Sequence, residues 1–530
     1  MTDVSALSLE QLQQEYARLM ALVVQQEQTL QQKSQTIQTL QHQLHLFRTA
    51  RFGRKSEKGV VPEQMAIQFD EAVPVIIAEE QHPTEPQTET ITYTRAKKNT
   101  GRKPLPQSLP YIEHTYDLSD EEKQCACGCT LTHIRDEVSE QLDVVPQMTF
   151  RVVHIRKQYA CKACENTMRC AKKPEQPIPH SIATPGLIAA IINSKFRCHM
   201  PLYRQETMFN EAGISLTRGT LSNWVIKAAD LLSPLVKLME DDIQNYDIAY
   251  ADETTLQVLK EKDRSATQKS YMWLFIGGPP SKRAFVYQYH PTRAHQIPAD
   301  FFADFQGYLH ADCYKAYVAL GLQQHIQHVA CWAHARRYFV DVTKTTKKSG
   351  LAQQAITLIG KLYQLEKSLK ETNAQAHSIF AVRIQKAKPI VDELKELLDQ
   401  ATLKVLPKSP LGQAVFYALT HWDALKSYLY DGRLEIDNNL SERAIKPFVI
   451  GRKNWLFHGN DIGARSGAIL YSFIETCKYH KVDVFSWFKY ALTHIQQAHT
   501  LVQMEELLPY NINTQLLADL RSIPHLQFPE

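Results

Sequence analysis

The acidic residues best able to do chemistry in this 530-residue chain sit where carboxylates are costly. Asp252 lies inside an otherwise apolar run, AYADETTL, where a lone carboxylate costs several kcal/mol unless it is paired or holds a cation. Asp312 closes another strand-like run, GYLHAD. Two acids near the ends of neighbouring strands form half of a divalent-metal site. A third, reaching back from a helix, completes a site for two Mg2+ (or Mn2+) ions about 4 Å apart. Glu442, one turn into a helix capped by Asn438 or Asn439, is a candidate, with Glu435 and Asp437 as rivals. Asn439-x-x-Glu442 also has capping-box spacing, which would make Glu442 structural. Strand alternation turns Glu253 away from Asp252, so it is a poor third ligand. Such a site suits phosphodiester cleavage, because two hard cations lower the pKa of an attacking water and stabilise the departing 3′ oxygen. Lys446, Arg452 and Lys453 follow Glu442 and suit a phosphate backbone.

Cysteines form a second cluster. Cys125, Cys127 and Cys129 lie in QCACGCT, and Cys161-Lys-Ala-Cys164 follows strand-like residues 150–160. Two close-set pairs about 34 residues apart can give four thiolates to one tetrahedral zinc, as in a zinc ribbon. Spacing alone leaves open which cysteine of the first group is spare. Basic residues around the cluster suit contact with DNA. Cys331-Trp-Ala-His334 has no second pair nearby, so a buried Cys331 with His334 capping the next helix is expected.

Further segments have the pattern of DNA contacts. Arg102 and Lys103 in GRKP suit a narrow minor groove. Residues 198–228 outline a helix-turn-helix: a helix around Leu202 to Asn210, a Glu211-Ala212-Gly213 turn and a Thr217 cap. Arg218, Ser222 and Asn223 fall at the exposed start of its second helix.

Several elements must position these groups. YDIAYADETTLQVL, SYMWLFIGG and AFVYQYH predict an antiparallel meander, and two further strands end at Asp312 and Cys331. Residues 338–430 are helical in pattern and glycine-poor. At the N-terminus, Leu9, Tyr16, Val23, Leu30, Ile37 and Leu44 share one heptad position, and Leu12, Leu19, Gln26, Lys33, Leu40 and Phe47 the other. That seam predicts a self-associating coiled coil. A basic stretch, RFGRKSEK, and an acidic, proline-bearing linker follow. With 44% hydrophobic residues the chain can bury a proper core. No run of about 20 apolar residues suggests a membrane span, and a start lacking a basic-then-apolar pattern predicts no secretory signal.

Taken together, FGRKSEK, GRKPLP, VSEQLDVVPQMTFRVVHIRKQYACKACE, PLYRQETMFNEAGISLTRGTLSNWV, ADETTLQVL, GYLHADCYKAY, CWAHARR and EIDNNLSERAIKPFVIGRKNWLF resemble the transposases of the bacterial insertion-sequence family IS66. The resemblance runs in order from about residue 51 to 480. It implies a DDE transposase whose ribonuclease H-like core is interrupted by a helical insertion. It implies Asp252, Asp312 and Glu442 as the three acids, and Cys125, Cys127, Cys161 and Cys164 as the zinc ligands.

The expected fold class is thus α/β multidomain. A coiled-coil helix spans 1–50, a basic/acidic linker 51–110, a zinc-binding module 111–180 and a helix-turn-helix region 181–240. A mixed-sheet catalytic core spans 241–340 and 431–490 around a helical insertion over 341–430, with a C-terminal segment over 491–530. The expected partners are element ends and target DNA, a second copy bound through the coiled coil (a homodimer or higher assembly), and accessory proteins of the same element. The expected location is the bacterial cytoplasm, with the nucleoid when on DNA. A repressor with an inactive core would bind metal without nicking, and a ribonuclease H-like nuclease would cut without joining.

Overall fold

A computed structural model describes residues 175–345, 350–518 and 520, the strands β1 (Gln158–Ala160) and β2 (Met168–Cys170), and a few single positions before residue 175. The coiled-coil seam, the linker with Arg102 and Lys103, and the four expected zinc ligands Cys125, Cys127, Cys161 and Cys164 lie outside the described residues. The chain divides into two units, one over 74–174 and the other holding 175–530. In the first, β1 and β2 pair antiparallel, Gln158 opposite Cys170.

The second unit is built on a mixed sheet. Its strands are β3 (Ile248–Lys260), β4 (Lys269–Gly277), β5 (Ala284–His290), β6 (Gly307–Ala311) and β7 (Ile326–Ala330), in the order β5-β4-β3-β6-β7. β3, β4 and β5 form the predicted meander, while β6 runs parallel to β3 and β7 parallel to β6. The sequence dictates this arrangement. Met272 to Ile276 of β4 are fully buried, as expected of a central strand covered on both faces. Gly307 opens β6 at φ 140, because any Cβ there would strike the Asp247 carbonyl of the adjoining chain. β6 pairs with β3 only through Ile248, Ala249 and Tyr250, and further along a short strand, β8 (His458–Asn460), takes its place beside Val258 and Lys260. Between those two pairings one edge of β3 is open.

Helices cover the sheet. α1 (Pro185–Ile192) and α2 (Leu202–Glu211) lead into α3 (Arg218–Gln244), whose Leu221, Trp224, Val225, Ala228, Leu232 and Leu235 form one buried stripe at helical spacing. α4 (Gln296–Phe301) and α5 (Lys315–Leu320) flank β6 in sequence. After β7 comes α6 (Trp332–Thr345), which begins before the predicted insertion and runs into it, followed by α7 (Gly350–Glu371), α8 (Ala376–Val382), α9 (Lys388–Thr402), α10 (Pro410–Thr420) and α11 (Trp422–Lys426) within it. Inside it Arg383 is buried and donates to both carboxylate oxygens of Glu366, at 2.8 and 2.7 Å, and to the carbonyls of Tyr428, Asp431 and Leu434. The chain then enters α12 (Asn439–Trp455), β8 and α13 (Asp461–Tyr479), with α14 (Val484–His494), α15 (Leu501–Glu506) and α16 (Thr514–Ala518) after them. α13 shields the outer edge of β5: Ser472 and Thr476 hydroxyls accept from the Tyr287 and Phe285 amides at 2.8 and 3.1 Å, satisfying edge donors that would otherwise stay buried and unpaired. Among the described residues, no helix is long and apolar enough to cross a membrane.

Candidate active site

Tyr250 of β3 lies opposite His310 of parallel β6, the last pair before the two strands part; Asp252 stands two residues past it on β3, and Asp312 two residues past it on the other chain segment, just beyond the last β6 residue, Ala311. Asp312 Oδ1 accepts from the Tyr314 amide at 2.9 Å, which turns the chain into α5. Asp252 Oδ1 accepts from the Glu253 amide at 2.8 Å.

The third acid arrives from α12 by a clasp. Asn438, at the N-cap position, donates from Nδ2 to the Ala251 carbonyl at 3.0 Å, using the β3 edge that β6 has left open. Its amide donates to Cys331 Sγ at 3.3 Å, at the end of β7, and its Oδ1 accepts from Ser441 Oγ at 2.9 Å. Through its side chain and its backbone amide, this one residue ties the helix to β3 and to the residue just after β7. Glu442 follows one residue after Ser441. The capping-box alternative does not form: α12 has no side-chain cap, and Glu442 Oε1 is a buried atom with no hydrogen-bond partner among the described residues. Both rivals are engaged elsewhere. Glu435 pairs with Lys370 at 2.5 Å, and buried Asp437 accepts from the amide and side chain of Asn439 at 3.1 and 2.9 Å.

The charges of both other acids act on Asp252. Burial, then the charges of Glu253, Asp312 and Glu442, push the Asp252 carboxyl well above the usual carboxylate range. Glu253, the largest of these charges, is itself engaged by other partners: Tyr317 donates to it at 2.6 Å and Arg293 Nε at 2.6 Å, and the Arg293 guanidinium stacks 3.7 Å over the Tyr314 ring. Beside Glu442 stand Cys331 and His334. One ligand atom from each of these three side chains lies within 4.8 Å of the others, and among the described residues no other group of three closes to that distance. Asp252 and Asp312 stand outside it. The residues suit hard divalent cations: convergent carboxylates repel one another, and Glu442 offers an orphaned oxygen. Sequence reasoning placed His334 at the helix cap. Instead α6 begins at Trp332, so His334 lies inside its first turn, and Cys331 is the residue before the helix. Burial lowers the His334 pKa against the pull of Glu442, and burial pushes the Cys331 thiol up.

The expected DNA contacts among the described residues fall on α12 and α3. Lys446 and Lys453 of α12 are exposed, whereas Arg452 is half-buried and donates to the Thr254 and Thr255 hydroxyls of β3 at 3.4 and 3.2 Å. In the helix-turn-helix, Gly213 takes the left-handed turn position at φ 75 and Thr217 caps α3, accepting from the Thr220 amide at 3.2 Å. Arg218 and Asn223 are exposed and Ser222 is half-buried. α3 continues for 27 residues, and its later turns belong to the core over the sheet. Sequence reasoning missed Asn438 as a clasp and Arg293 and Tyr317 as partners of Glu253; all three depend on contacts 40 or more residues apart.

Comparison with known proteins bears on this geometry. Residues 180–466 match the family model described as Transposase IS66 family, and 472–510 the IS66 C-terminal element. Residues 122–165 match the zinc-finger binding domain of transposase IS66, and 39–113 a leucine-zipper model described as transposase C of IS166 homeodomain. Uncharacterized protein y4jD of Sinorhizobium fredii is 33% identical over 431 residues, 78% of this chain and 82% of that protein. Uncharacterized protein y4qI of the same organism is 31% identical over 484 residues, 88% of each.

Proposed function

The chain belongs to the IS66 transposase family, and on that premise we propose that it cuts the ends of an insertion sequence and joins them to target DNA through a DDE site in a ribonuclease H-like core. What supports the reading is that Asp312 and Glu442, 60 and 190 residues from Asp252 in sequence, both act on its buried carboxyl, beside burial and the charge of Glu253. A three-strand meander continued by two parallel strands supports the ribonuclease H comparison.

In this reading Asp252 and Asp312 hold two cations, Mg2+ or Mn2+, and Glu442 completes the second. Bound cations would lower the pKa of the attacking water and stabilise the leaving 3′ oxygen. The first step breaks a phosphodiester at the element end by hydrolysis and leaves a 3′-hydroxyl. The second transfers that oxygen to a target phosphorus as the target's own 3′ oxygen leaves, with no covalent protein intermediate. Lys446 and Lys453 bind phosphates, Arg452 braces β3 beside the acids, and Arg218, Ser222 and Asn223 read base edges. Arg102 and Lys103 add a minor-groove contact. Structural zinc on Cys125, Cys127, Cys161 and Cys164 folds the finger, and the N-terminal zipper pairs two chains so that both ends are held together. Accessory proteins of the same element assist, and the work is done in the bacterial cytoplasm. Labelled element ends incubated with the full chain and Mg2+ test this: joined strand-transfer products are expected, and cleavage without joining would make the protein a nuclease instead.

A further inference from the structure

We propose that the cation held by Glu442 also takes a nitrogen ligand, Nδ1 of His334, so that the site favours Mn2+ over Mg2+. The inference rests on the carboxylate reading above and extends it to a residue outside the three acids.

The geometry is specific. His334 Nδ1 and Glu442 Oε1 are both buried atoms lacking hydrogen-bond partners among the described residues, and they face each other across 3.7 Å. The separation is too long for a hydrogen bond, but it suits two ligand atoms each about 2.1 Å from one cation. Among the described residues, Glu442 closes to within 4.8 Å as one of a group of three with His334 and Cys331, and not in such a group with Asp252 and Asp312. The placement follows from the elements: His334 lies in the first turn of α6, which starts where β7 ends, and Asn438 ties α12 to that same point through Cys331 Sγ. Cys331 is the third member of the group, but its sulfur already accepts the Asn438 amide, so it anchors the helix. That leaves one imidazole nitrogen and one carboxylate oxygen. Mg2+ demands a near-ideal octahedral oxygen shell, so one imidazole nitrogen counts against it more than against Mn2+, a transition-metal ion that otherwise takes the same oxygen ligands.

Pulsed EPR of the zinc-loaded full chain with Mn2+ tests the assignment. Imidazole nitrogen modulation is expected on the bound Mn2+. It should change to the 15N pattern when the unaltered protein is grown with 15N-histidine, a readout that needs no variant. His334→Gln should abolish the modulation and weaken Mn2+ binding about tenfold, with Mg2+ affinity changed far less, while Cys331→Ser keeps the modulation. If Mn2+ binds and is released by Asp252→Asn but shows no histidine nitrogen, or if the modulation survives in His334→Gln, the nitrogen ligand is overturned and the carboxylate reading stands. If Mn2+ binding is absent or indifferent to Asp252→Asn, the carboxylate reading itself fails.

Discussion

Asn438 donates its side-chain amide to the carbonyl oxygen of Ala251, 187 residues away in sequence, at 3.0 Å. That bond fixes where α12 lands on β3, and with it the distance from Glu442 to Asp252.

Removing the clasp should therefore separate folding from chemistry. Asn438→Ala leaves the Ala251 carbonyl without this donor and is expected to cost about 1–3 kcal/mol in denaturant unfolding. Strand cleavage should fall much further than binding of element ends, because the fold survives while the third acid drifts. Equal losses in both assays would show that Asn438 has no positioning role.

Asp437 gives a pH dependence. Burial, against hydrogen bonds from Asn439, raises its carboxyl from 3.8 to about 6. The folded value lies above the unfolded one, so the associated stability is fully present below about pH 3.8 and lost as pH rises through about 6. The difference is at most about 3 kcal/mol. Chemical denaturation of the wild type and Asp437→Asn across pH 4 to 7.5 measures it, with the variant expected to show the shallower dependence.

The buried pair in the helical insertion supports the approach to α12. Arg383 bonds Glu366 and the carbonyls of Tyr428, Asp431 and Leu434, so Glu366→Ala strands a buried guanidinium. A loss of about 3–5 kcal/mol and a lower thermal midpoint are expected. An unchanged midpoint would mean that the insertion tolerates the unpaired charge.

Much of this architecture was readable in the sequence for simple reasons. The run of β4 and the start of β3 are continuous and apolar because they are buried, and an Asp at the end of such a run is conspicuous whatever the fold. The glycine turn and Thr217 cap likewise carry local signals. What stayed hidden is relational. Asn438 reads as an ordinary helix cap, and only the departure of β6 from β3 gives it a carbonyl to bind. His334 reads as a cap by composition, and only where β7 stops decides that the helix starts two residues earlier. Glu253 was set aside by strand alternation, but nothing local predicts that Arg293 and Tyr317 hold it.

The zinc module makes a separate prediction. The full chain is expected to carry about one zinc, and Cys161→Ser with Cys164→Ser should abolish it. Residues 175–530 belong to a different unit from the cysteines, so their thermal transition should persist in that variant while binding of element ends weakens. Full zinc content in the double variant would remove these two cysteines from the ligand set.

The central claim is that Asp252, Asp312 and Glu442 act together. The most direct measurement is single-turnover cleavage of labelled element ends with Mg2+ by the wild type and by Asp252→Asn, Asp312→Asn and Glu442→Gln, each checked for end binding and zinc content. Each variant is expected to lose at least about a hundredfold in rate, and the triple variant to be little worse than the singles, because the members of one catalytic unit are not additive. Near wild-type cleavage by any one of the three would contradict the account.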